Sequence, residues 1–298
     1  MGLTVFTSPR CLDHNPGRGH PESPDRLKVL LARLAEEEGF PVVQTPGAPL
    51  GSVRRVHAPG YLEVIRSLAA RGGGTIDADT IMNSASWDAA LGAAGAALAA
   101  VRHADSGRGN AFAAIRPPGH HALAARAMGF CFLANAVIAA REAQVLGRAR
   151  VLIVDWDVHH GNGTQALVEH DPSIRYVSLH QWPAYPGTGA SAERGVGNVF
   201  NAPRAAGFPP EQYVADLQEA ILAATHSWQP DMILVSAGYD SMLGDPLGGF
   251  TLEAPHYGAL VETLRARCPG CPIVGLLEGG YDPARLAEGV VATLSALI

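Results

Sequence analysis

Cysteine and lysine are both scarce in this chain of 298 residues. The four cysteines, Cys11, Cys131, Cys268 and Cys271, are too few and too scattered for a disulfide framework. Cys268 and Cys271 have the C-x-x-C spacing, but no second pair completes a structural zinc site. We interpret this pair as part of a loop before a strand, with a redox or metal role as the alternative. Lys28 is the only lysine, so arginine carries nearly all of the positive charge.

The sequence also lacks an excess of basic residues and a long apolar run. The formal net charge of −6 gives no basic footprint of the kind found in nucleic-acid-binding proteins. No charged segment followed by a long apolar core opens the chain, so no signal peptide is predicted. The most apolar segment, residues 89–101, is too short to span a bilayer and is predicted to form a buried alanine-rich helix. We therefore expect a cytoplasmic protein without a nucleic-acid or membrane partner.

The order of strand and helix patterns predicts an α/β fold. A composition of 47% hydrophobic and 17% charged residues is ordinary for a globular protein whose length supports a large core. Strands are predicted at residues 3–6, 111–115, 151–154, 176–179, 232–236 and 273–277. Helices are predicted from Pro24, at 61–71, from a cap at Ser86, and at 132–146, 165–169, 211–227, 253–267 and 283–297.

This alternation indicates layered architecture. It favours a three-layer sandwich with a mostly parallel central sheet and helices on both faces. The sequence shows no internal repeat and no low-complexity linker, so we predict a single domain over residues 1–298.

Residues 151–163 combine a buried-strand pattern with polar side chains. Residues 151–154 are apolar and largely β-branched, which is typical of a strand buried on both faces of a parallel sheet. Asp157 and His159 follow, two residues apart, so in an extended segment both side chains leave the same face. One oxygen ligand and one nitrogen ligand on the same face make half of a zinc site.

Other polar residues also follow predicted strands. His120 and His121 come after the strand at 111–115, and Asp240 and Tyr281 come after two later strands. In open parallel sheets, ligands bind in the crevice at the carboxyl ends of the strands. Any one of these residues could be an ordinary loop residue, but together they indicate one functional rim.

Five sequence motifs occur on or after the predicted strands and helices. They are RPPGHH at 116–121, GFCFL at 129–133, DWDVHHGNG at 155–163, GYD at 238–240 with GDP at 244–246, and LEGGY at 277–281. These motifs resemble those of the zinc-dependent histone deacetylase family, including its class II-like bacterial deacetylase-like amidohydrolases and acetylpolyamine amidohydrolases. The resemblance runs from about residue 8 to the C-terminus and implies the arginase-like α/β fold.

The resemblance implies one zinc ion per chain, held by Asp157, His159 and Asp240. A histidine with two carboxylates leaves coordination positions open, as a catalytic zinc requires. One alternative is a structural ion pair without a metal, and another is Fe²⁺ in place of zinc. A two-metal arginase-like site would need further carboxylates, for which Asp155 is the obvious candidate. The resemblance instead pairs Asp155 with His120 and implies a structural K⁺ near Asp155 and Ser178.

Catalytic roles also follow from the resemblance. It pairs His120 with Asp155 and His121 with Asn162, so the carboxylate should make His120 the more basic imidazole. On this hypothesis His121 starts neutral and takes the proton of the attacking water, while His120 acts more as an electrostatic partner. Tyr281 is expected to donate to the oxyanion opposite the zinc.

The resemblance assigns a substrate tunnel to residues on several loops. Phe130 and Tyr185 match its two aromatic walls, and the uncharged Leu247 lies where a polyamine-selective member would carry an acidic residue. The remaining substrate-binding predictions are Gly129 and Gly279. For a rim acid that contacts the substrate backbone, the candidate is Asp79. Arg26 resembles an arginine behind the metal, with a surface ion pair as the alternative.

The predicted activity is zinc-dependent hydrolysis of acetyl or other short acyl amides of lysine-like amines. Acyl-lysine in a peptide or protein is the favoured substrate, or a small acylated amine. Acetylpolyamine deacetylation is the enzymatic alternative, and a non-catalytic acyl-lysine-binding module is the alternative of another class. A homo-oligomer is compatible with the sequence.

Overall fold

The computed structural model describes residues 2–298 of the chain. Its strands are β1 Gly2–Thr7, β2 Val42–Gln44, β3 Gly73–Thr75, β4 Ile81–Asn83, β5 Gly109–Ala113, β6 Val151–Asp155, β7 Ile174–Gln181, β8 Val199–Arg204, β9 Met232–Ala237 and β10 Ile273–Leu277. Its α-helices are α1 Asp25–Glu36, α2 Leu50–Val53, α3 Pro59–Ala70, α4 Ser86–Asp105, α5 Asn135–Val145, α6 Asn162–Val168, α7 Pro210–Thr225, α8 Ala254–Arg267 and α9 Pro283–Leu297.

Eight of these strands form one parallel sheet. Their order is β2-β1-β5-β10-β9-β6-β7-β8. The C-terminal strand β10 therefore lies between β5 and β9, and β6 lies between β9 and β7. β3 and β4 form a separate antiparallel hairpin. The mostly parallel α/β prediction is confirmed.

Helices cover the sheet because its inner strands are mostly apolar and are buried along their whole length. Every residue of β6, β9 and β10 is buried, without the alternation expected of a sheet with one wet face. One helical layer contains α4 and α5, which pack on each other and on the central strands. A second set, α1, α7, α8 and α9, packs as neighbours along the sheet. As a result, the parallel strands open to a ligand only at their ends.

Most predicted elements agree with the structure, but several details of the prediction are wrong. The predictions at 273–277 and 283–297 coincide with β10 and α9. Ser86 does not cap α4, because Ala85 occupies the cap position and the Ser86 hydroxyl accepts from the Asn83 amide at 2.8 Å. The short strand β2 lies in a segment that contains Pro41, Pro46 and Pro49, where no strand was predicted.

β8 is another departure, since no strand was predicted at 199–204. It contains a proline, which is tolerated because β8 is the edge strand of the sheet. The alanine-rich segment 89–101 lies within α4, whose side chains are mostly buried, as predicted. Among residues 2–298, no helix combines the length and the apolarity needed to cross a membrane.

Candidate active site

Two neighbouring strands bring the predicted metal ligands together. Asp157 and His159 follow β6, and Asp240 follows β9, which pairs with β6 in the sheet. One ligand atom of each residue lies within 4.8 Å of the others. His159 Nδ1 is 3.1 Å from Asp157 Oδ1 and 3.2 Å from Asp240 Oδ2. The pairing of two parallel strands therefore brings Asp240 to Asp157 and His159, from which it is distant in the sequence.

The hydrogen-bonding and charge of this cluster fit a cation. Asp157 and Asp240 are fully buried, and within residues 2–298 Asp240 Oδ2 accepts no hydrogen bond of suitable geometry, although His159 Nδ1 lies 3.2 Å away. Burial together with the neighbouring charge of Asp157 raises the pKa of Asp240 to about 7. Burial opposes the charge on His159, but the two carboxylates outweigh it and raise its pKa to about 10. A divalent metal ion would satisfy the free carboxylate oxygen and neutralise the buried charge.

Backbone amides fix the orientation of both carboxylates. The amide of Val158 donates to Asp240 Oδ1 at 2.8 Å, and the amide of Gly279 donates to Asp157 Oδ2 at 2.8 Å. A Cβ atom at position 279 would lie 2.1 Å from Asp240 Oδ2 and 2.6 Å from Asp157 Oδ2. The predicted residue Gly279 thus lies beneath the cluster, where only a glycine fits between the two carboxylates.

The tandem histidines have different hydrogen-bond partners. His120 Nδ1 is 3.2 Å from Asp155 Oδ2, and His121 Nδ1 is 2.7 Å from Asn162 Oδ1. Burial opposes the charge on His120, but Asp157 and Asp155 outweigh it and raise its pKa well above the ordinary value. For His121, burial and the charge of His120 lower the pKa well below the ordinary value. The two imidazoles are therefore tuned in opposite directions.

Sequence reasoning missed Tyr176, which shares the carboxylate of Asp155 with His120. Its hydroxyl donates to Asp155 Oδ2 at 2.9 Å and accepts from the Gly161 amide at 3.1 Å. Spacing was the available signal. Ser178 is the register partner of Asp155, and Tyr176 lies two residues before Ser178 on β7, so both side chains leave the same face of the strand. Ser178 Oγ is 2.9 Å from His180 Nδ1, and a K⁺ near Asp155 and Ser178 stays a prediction.

A cavity of about 270 Å³ leads to the cluster. Its walls include seven of the predicted site residues and Asp79, the candidate rim acid. The lining residues are Asp79, His121, Gly129, Phe130, His159, Ala184, Tyr185, Leu247 and Tyr281. A larger cavity of about 410 Å³ lies beside the starts of β5 and β10, at the opposite end of the strands. It is lined in part by the free cysteines Cys268 and Cys271, and the metal cluster is remote from it.

Thr80 links two residues at the rim of the smaller cavity through hydrogen bonds of its hydroxyl. Thr80 is buried, and its hydroxyl accepts from the Phe130 amide and donates to Asp79 Oδ1, both at 3.2 Å. Phe130 has a φ of +67°, a backbone conformation that residues other than glycine rarely adopt. The ring of His20 packs edge-on against Phe130, and its Nε2 donates to the Asp79 carbonyl at 2.9 Å. Sequence reasoning missed both Thr80 and His20.

Arg26 lies behind Tyr281 and is only 1% exposed, so the surface ion-pair alternative is wrong. Its guanidinium is 4.9 Å from the centre of the Tyr281 ring. Its Nε donates to the Gly280 carbonyl at 2.5 Å, and its Nη2 donates to the Glu278 carbonyl. Burial raises the pKa of Tyr281 well above the ordinary value, so its phenol keeps its proton and can donate.

His160, the second histidine of the central motif, is occupied elsewhere. Its Nδ1 is 2.8 Å from Thr188 Oγ1, and its Nε2 is 2.9 Å from Gln165 Oε1. Burial lowers its pKa to about 4. These contacts give His160 a packing role beside the cluster.

Fold and site together define an α/β protein whose carboxyl strand edge carries a candidate metal cluster at the base of a cavity. A model of the histone deacetylase domain matches residues 20–297. Uncharacterized protein slr0245 of Synechocystis sp. is 41% identical over 304 residues, which cover 99% of each chain. The histone deacetylase-like amidohydrolase of Pseudomonas aeruginosa is 36% identical over 279 residues, covering 89% of this chain and 73% of the relative.

A solved structure agrees with these sequence comparisons. The crystal structure of the HDA15 HD domain superposes with a TM-score of 0.95 at 34% identity, covering 99% of this chain and 88% of that one. The chain therefore belongs to the histone deacetylase family. The family resemblance read from the five motifs and the arginase/deacetylase-like sandwich are both confirmed.

Proposed function

We propose that the protein is a zinc-dependent hydrolase that removes acetyl or other short acyl groups from the amide nitrogen of lysine-like amines. The cluster of Asp157, His159 and Asp240 at the base of a lined cavity is the observation that carries this proposal. When bound there, a zinc ion would supply Lewis-acid polarisation of the amide carbonyl and of water. The fit of the donor set, one nitrogen and carboxylate oxygens, supports zinc.

The two imidazoles divide the proton chemistry in this proposal. His121, with its lowered pKa, is neutral and takes the proton of the attacking water. Asn162 accepts from its Nδ1–H, which leaves Nε2 free as the base. His120, with its raised pKa, is the positively charged partner, held by Asp155. This division gives the departing amine a nearby source of a proton.

Tyr281 stabilises the oxygen that becomes negative. It lines the cavity with His121 and His159, and the raised pKa of its phenol keeps the donor proton in place. Arg26 packs against the ring and holds the carbonyls on either side of Gly279, which fixes the loop that carries the phenol. A preorganised donor of this kind typically contributes about 10²–10³ in rate.

The cavity lining supports a linear acyl-lysine chain as the substrate. Phe130 and Tyr185 supply apolar walls for methylene groups, and Leu247 adds an uncharged surface that is 40% exposed. An uncharged residue here offers no attraction to a distant ammonium group. The favoured substrate is therefore an acyl-lysine peptide or protein.

One observation favours a second candidate, a small acylated polyamine. Asp79 lines the same cavity and could attract an ammonium group as well as a peptide amide. Steady-state kinetics on an acetyl-lysine peptide and on acetylputrescine would separate the two. We expect the higher kcat/KM for the peptide, and a strong preference for acetylputrescine would contradict the assignment. Absence of hydrolysis with both, in a protein that binds the peptide without metal, would indicate a non-catalytic module.

A further inference from the structure

Glu278 is a buried carboxylate to which the proposed mechanism gives no role. It is 0% exposed and follows directly after β10. Its Oε2 accepts from the Gly119 amide at 2.6 Å and from the His120 amide at 3.1 Å. Its Oε1 accepts from Ser236 Oγ at 3.4 Å. The side chain of Glu278 thus reaches from the end of β10 to the loop that carries the tandem histidines.

The backbone of Glu278 belongs to the loop that carries Tyr281. Its amide donates to the Ala237 carbonyl at 3.0 Å, and its carbonyl accepts from Arg26. Tyr281 follows three residues later, with its amide donating to Asp245 Oδ2 at 2.6 Å. The main chain of Glu278 is therefore fixed to β9 and to Arg26, and its side chain is anchored to a different loop.

The histidine loop needs the acceptor that Glu278 supplies. Gly119 is tightly enclosed, since a Cβ there would lie 2.6 Å from the Asn135 amide nitrogen. The His120 carbonyl accepts from the Thr164 amide at 3.0 Å, so α6 holds the carbonyl of His120 and Glu278 holds its amide. Two buried amides without an acceptor would be costly, and the loop would move to satisfy them.

We propose that Glu278 is a positioning residue that sets the His120 and His121 imidazoles relative to the Tyr281 phenol. The inference rests on the proposed deacylase function. One residue joins the loop of the proton-transferring groups to the loop of the oxyanion donor. A displacement of about 1 Å between such groups can cost about 10² in rate. Glu278 acts through hydrogen-bond acceptance, so a neutral acceptor of the same shape should replace it.

The test compares Glu278→Gln with Glu278→Met. Glutamine can place its carbonyl oxygen on the Gly119 and His120 amides and its amide group on Ser236, whereas methionine has similar length and no strong acceptor. We expect Glu278→Met to lower kcat by about 10-fold to 10²-fold, with KM and zinc content close to those of the wild type. Glu278→Gln should restore most of kcat.

Glu142 supplies a matched control. It is also a buried glutamate, but it pairs with Arg55 and Arg102, away from the cavity. Glu142→Met should lower the melting temperature and leave kcat per folded molecule unchanged. A loss of kcat in Glu278→Met that merely follows a loss of folded protein would match this control and would overturn the inference.

Amide hydrogen exchange of residues 116–121 in metal-free protein gives a readout that does not need activity. Glu278→Met should accelerate exchange at Gly119 and His120, and Glu278→Gln should leave it slow. Wild-type kcat or wild-type exchange in Glu278→Met would overturn the inference, as would a Glu278→Gln variant as impaired as Glu278→Met. If the wild type hydrolyses no acyl-lysine substrate, the proposed function fails, and the exchange rates alone decide whether Glu278 holds the loop.

Discussion

At the scale of single residues, mutations should distinguish the metal-binding role of the ligand cluster from the catalytic role of the Tyr281 phenol. Asp240→Ala removes the carboxylate whose Oδ2 accepts no hydrogen bond of suitable geometry within residues 2–298, so we expect the purified protein to lose its zinc. Tyr281→Phe removes only the phenolic donor, so zinc should remain while kcat falls by about 10²–10³. Elemental analysis and steady-state kinetics check both. Zinc retained in the first variant and lost in the second would refute the assignments.

Glu22 should make the stability of the folded protein depend on pH. It is fully buried, and it accepts from Arg116 and Arg26 at 2.8 Å and 3.0 Å. Burial opposes its charge, but Arg116, with His14 and Arg26, outweighs burial and holds the pKa of Glu22 well below its ordinary value. A depressed folded-state pKa contributes stability that is present above the unfolded pKa, about 4.3, and is lost as the pH falls below it.

Glu22→Gln should therefore destabilise the protein at pH 7, by about 3–5 kcal/mol, because two buried guanidinium groups lose their counter-ion. The difference from the wild type should shrink as the pH falls below about 4. Urea unfolding at a series of pH values measures it. A difference that is constant from pH 7 to pH 3 would contradict this account.

Residue spacing predicted only half of the ligand cluster, and the family resemblance supplied the third ligand. Asp157 and His159 needed only the alternation of a strand. Asp240 was assigned from the resemblance, and the pairing of β9 with β6 explains why it lies beside the other two. Thr80 and Glu278 could not be identified from spacing. Each acts through a hydrogen bond to a residue distant in sequence, and such contacts have no local pattern.

At the scale of elements, the β3–β4 hairpin should control how the rim holds a peptide. Its turn carries Asp79 and Thr80, and Thr80 joins Asp79 to the Phe130 wall. Thr80→Val keeps the shape and removes the hydroxyl. We expect KM for an acetyl-lysine peptide to rise about fivefold, the equivalent of one hydrogen bond of about 1 kcal/mol.

Thr80→Ser keeps the hydroxyl and serves as the control for that variant. Its KM should stay close to that of the wild type. If Thr80→Val binds the peptide as the wild type does, or if Thr80→Ser is equally impaired, the hydroxyl does not organise the rim.

The elements that the sequence did not predict share a physical cause. The strands β2, β3 and β4 have only three residues each, too few for a periodic pattern to emerge. β8 is interrupted by a proline that only its edge position permits. The long buried strands β6, β9 and β10 were found because uninterrupted apolar runs are strong signals.

At the scale of the whole molecule, we expect one cooperative unfolding transition, as the single-domain prediction implies. One sheet runs from β2 to β8, and Trp156, fully buried just after β6, reports on its centre. Thermal unfolding followed by tryptophan fluorescence and by far-UV circular dichroism should give the same midpoint. Zinc should raise that midpoint, since a ligand that binds only the folded state stabilises it. Two separate midpoints would contradict a single domain.

The position of β10 has a consequence for how the protein is made in the cell. The strand lies between β5 and β9, although it is the last of the eight sheet strands in chain order. Until it is synthesised, the nascent sheet has a gap in its middle, and the loop of Glu278 and Tyr281 is missing. The complete site can therefore form only after β10 and its following loop have been made, and a fragment truncated before β10 would have two open strand edges that chaperones would have to shield.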